Sequence, residues 1–133
     1  MEVTSRAIIF SEKGLMVFYR EKVRNGKRIC YYAIPGGHVE EGETLEETCI
    51  RELKEELNIE IEIVKYLGKK VIDKREEHYF YCKKISGEPI LSGEELERNN
   101  PDNYYEFRYL PISELDNSKI VALEMIRKAL ASE

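Results

Sequence analysis

The sequence has little cysteine, no tryptophan and no long hydrophobic run. Its three cysteines form no CxxC pair, so neither a disulfide framework nor a zinc site is indicated, and we expect a cytoplasmic protein. No apolar run approaches the length of a membrane span, so no membrane partner is expected. The formal net charge of −5 argues against nucleic acid as a partner, because phosphate contacts need a basic face. We expect residues 1–133 to form one domain with a real core.

The negative charge is concentrated in residues 36–59, which read GGHVEEGETLEETCIRELKEELNI and contain eight glutamates beside two basic residues. Repulsion within such a segment costs stability unless a cation relieves it. Carboxylate oxygens at this density suit Mg²⁺ or Mn²⁺ better than zinc, which prefers histidine and cysteine. The segment therefore predicts a site for a divalent metal.

Local signals predict a helix over about 44–57. Thr44 and Glu47 have the spacing of a capping box, and apolar residues recur behind them at helical intervals. Asn58 tolerates the left-handed conformation that closes many helices, so the helix should end there. Before the helix, two glycines that follow an apolar run let the backbone approach an ion or a phosphate closely.

Three glutamates of this helix, Glu52, Glu55 and Glu56, should share one face, because they fall within an arc of roughly 100°. On the same helical wheel Arg51 and Lys54 point elsewhere. We therefore expect the three carboxylates to lack an ion-pair partner within the helix.

These residues resemble the Nudix box of MutT-like hydrolases, G-x5-E-x7-R-E-U-x-E-E-x-G-U, where U is a bulky apolar residue. Asn58 replaces the last glycine, and the other defined positions all match. The matching residues are Gly37, Glu43, Arg51, Glu52, Leu53, Glu55, Glu56 and Ile59. Near the C-terminus, residues 109–115 are similar to the family's aromatic-x-P-hydrophobic-x-E-L ending, with tyrosine in place of the usual tryptophan.

The resemblance implies an α/β (α+β) fold, a Nudix-type α/β/α sandwich with a mixed β-sheet between helices. It implies a pyrophosphohydrolase that uses Mg²⁺ or Mn²⁺ to cleave a nucleoside diphosphate linked to another moiety. A nucleoside triphosphate or a modified nucleotide is the favoured substrate, since the signatures of two other substrate classes are absent after the box. A non-catalytic Nudix module that senses a nucleotide is the alternative, and a homodimer is among the assemblies that the resemblance allows.

The resemblance also implies roles for single residues. Glu52 and Glu56 are expected to be the main metal ligands, and the Gly37 carbonyl a supporting ligand. Glu55 is expected to be a further ligand or the base that activates water, and Arg51 to orient a glutamate by a charge-assisted bond.

Substrate contacts are expected outside the acidic cluster. Arg20 ends a strand where MutT-type relatives place an arginine on the substrate phosphates, although an ordinary strand-end arginine is the alternative. His38 follows Gly37 and is a candidate for contact with a phosphate or base, with an exposed loop histidine as the alternative. Relatives also supply a late acidic group, for which the candidates are Glu94, Glu97 and Glu106.

The rest of the chain predicts strands before and after the central helix. Hydrophobic alternation and turn signals place strands at 3–10, 15–20, 29–34, 60–72, 77–86 and 104–110, and a C-terminal helix at 118–131. Asn25-Gly26 is a strong signal for a hairpin turn.

Overall fold

The structure is a computed structural model, and it describes residues 2–90 and 103–133. Its strands are β1 (Glu2–Ser11), β2 (Gly14–Arg24), β3 (Lys27–Ala33), β4 (Gly36–His38), β5 (Glu60–Ile72), β6 (Arg75–Ser86) and β7 (Asn103–Leu110). Its helices are α1 (Leu45–Leu57), a 3-10 helix (Ile112–Asn117) and α2 (Leu123–Ala131). Within the described part of the chain, no helix is long and apolar enough to span a bilayer.

The seven strands form a mixed sheet between two helices, as the sequence predicted. Five strands follow the order β3-β2-β1-β6-β5, while β4 pairs with β1 and β7 pairs with β2. The β1–β6 pair is parallel, and the remaining pairs are antiparallel. The long pair predicted at 60–72 and 77–86 is confirmed as β5 and β6.

Alternation along the strands divides the core into two layers. Ile8, Val17 and Tyr79 pack with α2, whereas Ala7 and Phe80 point the other way and pack with α1. Each helix thereby buries its apolar face against one side of the sheet.

The sheet opens between β1 and β2, and this opening creates the site. Strand β2 pairs with β1 only at its first two residues, through Phe10–Leu15 and Ser11–Gly14. From Phe18 onward β2 pairs instead with β3. On the other side of the opening, β1 pairs with the short strand β4 through residues 4–6.

Four details differ from the sequence predictions. Strand β2 continues to Arg24, so Arg20 lies inside the strand and not at its end. Strand β4 and the 3-10 helix were not predicted. The predicted C-terminal helix is wrong over 118–122, because residues 119 and 120 pair with Tyr32 and the chain then turns through Ala122, which is left-handed with φ 60° and ψ 39°. The amide of Tyr32 donates to the Lys119 carbonyl at 2.8 Å, and Tyr32 forms a parallel bridge with Ile120.

Candidate active site

The first turn of α1 is fixed by its own side chains and by β1. The Thr44 hydroxyl accepts from the Glu47 amide at 3.1 Å, and the Glu47 carboxylate accepts from the Thr44 amide at 2.8 Å. The predicted capping box is therefore confirmed. The Ser5 hydroxyl donates to the Leu45 carbonyl at 2.7 Å, which ties the start of the helix to the sheet.

The last turn of α1 closes at Asn58, which is left-handed with φ 56° and ψ 40°. Its amide donates to the Lys54 carbonyl at 3.0 Å. Asparagine supports this conformation at smaller cost than most side chains. The segment between Thr44 and Asn58 thus presents its glutamates from a helix capped at both ends.

A cavity of about 260 Å³, which we call the carboxylate cavity, lies in the opening of the sheet beside α1. Arg51 and Glu55 are not among its lining residues. The cavity brings together most of the predicted site, and its lining includes Gly37, His38, Glu52, Glu56, Arg20 and Tyr105.

Glu52 and Glu56 place two carboxyl groups, one helical turn apart, in this cavity. The Glu56 residue is only 6% exposed, and the Glu52 side chain only 15%. Burial raises the pKa of Glu52, while a hydrogen bond with Glu56 and the charge of Arg51 act in the opposite direction. Two largely buried carboxyl groups in contact are a donor set that fits a hard divalent cation, because the cation would offset the repulsion between them.

Gly37 is packed directly against this carboxylate pair. A Cβ atom at position 37 would lie 2.3 Å from Cδ and Oε1 of Glu52, and 2.7 Å from Oε2. No side chain fits there while Glu52 keeps its position. Across residues 2–90 and 103–133, no three acidic, histidine or cysteine side chains are already grouped as a metal site.

Arg51 connects the glutamates, and the prediction that they lack an intrahelical partner is wrong. Its guanidinium donates to Glu43 at 2.7 and 3.0 Å, to Glu52 at 3.2 Å and to Glu55 at 3.1 Å. It also donates to the His38 carbonyl at 3.1 Å. Arg51 and Glu55 are four residues apart and therefore only about 40° apart around the helix axis, which makes them neighbours on one face rather than residues that point in different directions.

The strongest of these pairs is with Glu43. Hydrogen bonds from Arg51 lower the pKa of Glu43 to about 2, and the Glu40 amide and the Thr48 hydroxyl also donate to this carboxylate. The same pairing raises the pKa of Arg51 above its usual range. Arg51 and Glu43 therefore remain charged and fix the loop between β4 and α1 against the helix.

Glu55, the third predicted ligand, is placed differently. Its side chain is 56% exposed and pairs with Arg51. Glu52 and Glu56 line the carboxylate cavity, whereas Glu55 does not.

Arg20 lies in the opening of the sheet, held by aromatic rings. Its Nη2 donates to Asn103 Oδ1 at 3.3 Å and to the Tyr105 hydroxyl. The guanidinium lies 4.1 Å from the centre of the Tyr105 ring and 5.6 Å from that of Tyr31.

His38, in contrast, has a side chain that is 65% exposed, and its Nε2 lies 3.7 Å from a Glu2 carboxylate oxygen.

Of the three late acidic candidates, only Glu106 lies within the described residues. It accepts from the Tyr104 hydroxyl at 2.6 Å and from Arg108 Nε at 3.0 Å. Alternation along β7 places Glu106 on the face opposite to Tyr105, away from the carboxylate cavity. Glu94 and Glu97 lie outside the described residues.

Two lining residues with polar side chains, Arg6 and Tyr105, were not among the predicted site residues. Arg6 donates to Glu77 at 2.8 Å and to the Ile34 carbonyl at 3.0 Å, and Tyr105 contacts Arg20. Each lies inside an ordinary strand pattern, so only the pairing of distant strands brings it to the site.

Comparison with known proteins agrees with this arrangement. A family model described as the NUDIX domain matches residues 2–129. The chain belongs to the Nudix family of hydrolases. The match includes the box, the strands on both sides of it and most of α2, and it confirms the predicted fold and enzyme class.

Several solved Nudix structures share this fold. A MutT Nudix hydrolase from Burkholderia pseudomallei is 22% identical, with 98% of this chain and 95% of that chain covered and a TM-score of 0.69. A Nudix-family hydrolase from Clostridium perfringens is 18% identical, with 98% and 97% covered and a TM-score of 0.71. An ADP-ribose pyrophosphatase from Streptococcus suis is 16% identical, with 98% and 90% covered and a TM-score of 0.62. At these identities the likeness establishes the fold alone.

Proposed function

We propose that this Nudix protein is a divalent-metal-dependent hydrolase of a pyrophosphate bond in a nucleoside diphosphate linked to another moiety. A nucleoside triphosphate or a modified nucleotide is the favoured substrate. The observation that carries the proposal is the largely buried carboxyl pair of Glu52 and Glu56, which lines a cavity that Arg20 also lines. Oxygen donors for a cation and a guanidinium for a phosphate thus lie in one cavity.

Mg²⁺ or Mn²⁺ is the proposed cofactor. Glu52 and Glu56 would hold it, the Gly37 carbonyl would support it, and Glu55 would be a further ligand or the base. A bound ion would neutralise the diphosphate and make water a better nucleophile at neutral pH. Every other requirement falls on the protein, which must bind the phosphates, position the carboxylates and take up one proton.

Positioning of Glu52 is the proposed task of Arg51. Its guanidinium contacts Glu52 and Glu43 at once, and Glu43 is itself held by the Thr48 hydroxyl at 2.8 Å. A planar cation between two carboxylates fixes the direction of both. Gly37 contributes by leaving the space that the Glu52 carboxylate occupies.

Substrate phosphates are proposed to contact Arg20, and His38 is proposed to contact the substrate from the exposed end of β4. Arg20 is suited to this role because its aromatic neighbours restrict it without neutralising it. The solved relative from Streptococcus suis is an ADP-ribose pyrophosphatase by name, which agrees with cleavage of a pyrophosphate bond. We also propose that the protein acts in the cytoplasm as a single domain on small molecules, with a homodimer as the assembly to test.

The proposal is tested by a screen of nucleotides with Mg²⁺ in heavy-oxygen water, with Glu52→Gln as the inactive control. We expect hydrolysis that EDTA abolishes, with the label on a phosphorus of the cleaved pyrophosphate. Label on a sugar carbon would contradict attack at phosphorus. Tight nucleotide binding without turnover would favour the non-catalytic sensing module.

A further inference from the structure

A second cavity, of about 380 Å³, adjoins the carboxylate cavity in the opening of the sheet. The two share the side chains of Arg6 and Arg20 as well as the chain at Ala33 and Ile34. A substrate held at Glu52 can therefore extend past Arg20 into this second space. Its volume lies within the range of small-molecule sites.

The lining of the second cavity is strongly basic, and we call it the basic cavity. Two carboxylates, Asp73 and Glu77, offset only part of this charge, and an excess of three positive charges remains. This excess occurs in a chain whose net charge is −5. Its basic residues are Arg6, Arg20, Lys22, Arg24 and Arg75.

The ion pairs of the described residues do not neutralise this cluster. Glu77 pairs with Arg6 at 2.8 Å and with Arg75 at 3.4 Å, so one carboxylate serves two guanidinium groups. Arg20, Lys22 and Arg24 form no ion pair within residues 2–90 and 103–133. Three cations on alternate residues of β2 therefore face the cavity without an ion-pair partner of their own from that part of the chain.

Unused donors point to the same conclusion. The Nε atoms of Arg20 and Arg75 are buried and have no hydrogen-bond partner among the described residues. A buried donor without an acceptor destabilises the folded protein, and more so when the donor is charged. Burial lowers the pKa of Lys22, and the positive charges of Arg20, Arg24 and Arg75 lower it further. An anion in the cavity would accept from the free donors and relieve the repulsion.

We infer that the basic cavity binds a phosphomonoester that the substrate carries beyond its scissile pyrophosphate. The preferred substrates are then nucleoside diphosphate derivatives with an additional phosphate group on one of the linked moieties. A neutral nucleobase would leave the excess charge uncompensated, whereas a phosphomonoester brings about −1.5 to −2 charges and three acceptor oxygens. This inference rests on the proposed function for its substrate, but not for the anion site itself.

The first experiment tests the anion site without metal or turnover. Inorganic phosphate is titrated in EDTA into wild type, Lys22→Gln and Lys65→Gln, and binding is followed by NMR chemical shifts. Lys65 is exposed on β5 and outside both cavities, so its variant removes the same charge elsewhere. We expect phosphate affinity to fall at least about tenfold in Lys22→Gln, the size of one charge-assisted hydrogen bond, and to hold in Lys65→Gln. Equal phosphate affinity in the three proteins would overturn the inference. If Lys22→Gln does not fold, Arg24→Gln takes its place in the same titration.

The second experiment identifies the source of the phosphate. kcat/KM is compared within pairs that differ by one phosphomonoester, NADPH with NADH and coenzyme A with its dephospho form. We expect preference for the phosphorylated member in at least one pair, with the ratio falling about tenfold in Lys22→Gln but not in Lys65→Gln. A ratio near one in both pairs would overturn the substrate assignment. If no nucleotide is hydrolysed, the proposed function fails, and the phosphate titration alone still decides whether the basic cavity binds an anion.

Discussion

Gly37→Ala is the substitution for which the structure gives the sharpest expectation. The added Cβ would lie 2.3 Å from Cδ of Glu52, whereas ordinary carbon contacts are about 3.5–4.0 Å. The backbone at position 37 is in an ordinary region, so alanine itself is not strained. The obstacle is the far end of a flexible side chain, and we expect the Glu52 carboxylate to move by about 1 Å or more.

The stability of the metal-free protein should change little. Moving Glu52 weakens one partly exposed pair with Arg51, which costs about 0.2–1 kcal/mol. Replacing glycine by alanine stabilises by about 0.4–1 kcal/mol through the unfolded chain. These terms offset each other, so the free energy of unfolding in EDTA should stay within about 1 kcal/mol of wild type.

Function should respond much more strongly. Metal sites tolerate ligand shifts of only about 0.2 Å, and a misplacement of about 1 Å can cost 10²-fold in rate. We expect Mg²⁺ affinity and turnover each to fall by about 10²-fold, equivalent to about 2.7 kcal/mol. Urea unfolding in EDTA, Mg²⁺ titration calorimetry and a phosphate-release assay measure the three quantities.

Gly36→Ala is the matched contrast. A Cβ there would lie 2.2 Å from the backbone oxygen of Ser5, at φ 152°, so it meets β1 rather than a flexible side chain. Overpacking of this kind should cost about 1–3 kcal/mol of stability or more. Normal metal affinity and turnover in Gly37→Ala would refute the placement of Glu52 beside Gly37. Unfolding of Gly37→Ala would refute the expectation that this substitution lowers function while leaving stability unchanged.

Three further predictions follow from the box and its surroundings. Because Arg51 lowers the folded-state pKa of Glu43 to about 2, the stability from this pair is present above the unfolded value of about 4.3 and is lost as pH falls towards 2. Glu43→Gln should flatten acid unfolding in that window, and an unchanged slope would contradict the pairing. Asn58→Gly should keep full activity and stability within about 1 kcal/mol, since both residues accept the left-handed cap, and a large loss of turnover would reveal an unassigned role. Arg20→Ala should raise KM by a factor equivalent to about 1.5–3 kcal/mol, and unchanged kinetics would show that Arg20 is an ordinary strand residue without a substrate contact.

The helix of the box was predictable because its signals are local. Thr44 and Glu47 cap the first turn, Asn58 closes the last one, and the apolar stripe between them is periodic. The hairpin at Asn25-Gly26 was predictable for the same reason, and both residues have positive φ angles of 52° and 74°.

Other features depend on contacts between distant segments. Strand β4 has three residues and no alternating pattern, and it exists because β1 pairs with it. Residues 118–122 carry part of a helical pattern, yet pairing with Tyr32 holds residues 119 and 120 extended. In each case a tertiary hydrogen bond outweighs a local preference.

In the candidate site too, some residues were predictable from local sequence signals and others depend on contacts between distant segments. The box gave Gly37, Glu52 and Glu56, which meet in one cavity. It did not give the basic cavity, whose basic residues come from β1, β2 and β6. The alternation of Arg20, Lys22 and Arg24 along β2 was a usable signal, because a period of two places three cations on one face. Arg75 carried no such signal, since only the β1–β6 pairing brings it near.

We propose that Glu56 binds a divalent metal. The direct test is to titrate Mg²⁺ into wild type and Glu56→Gln and to measure the thermal unfolding temperature of each. Glutamine keeps the shape of Glu56, donates a hydrogen bond to Glu52 and removes the repulsion between the two carboxylates. In EDTA the variant should therefore unfold at the wild-type temperature or above. With Mg²⁺ it should gain much less stability than wild type, and turnover should fall by about 10²-fold or more.

Glu46→Gln is the control, because it removes one exposed glutamate from the same helix. It should behave as wild type both in EDTA and with Mg²⁺. Of the two variants, only Glu56→Gln should change the two measurements in opposite directions. Its metal-free stability should stay equal or rise, while its stabilisation by Mg²⁺ should fall. Equal Mg²⁺-induced stabilisation in wild type and Glu56→Gln would contradict it.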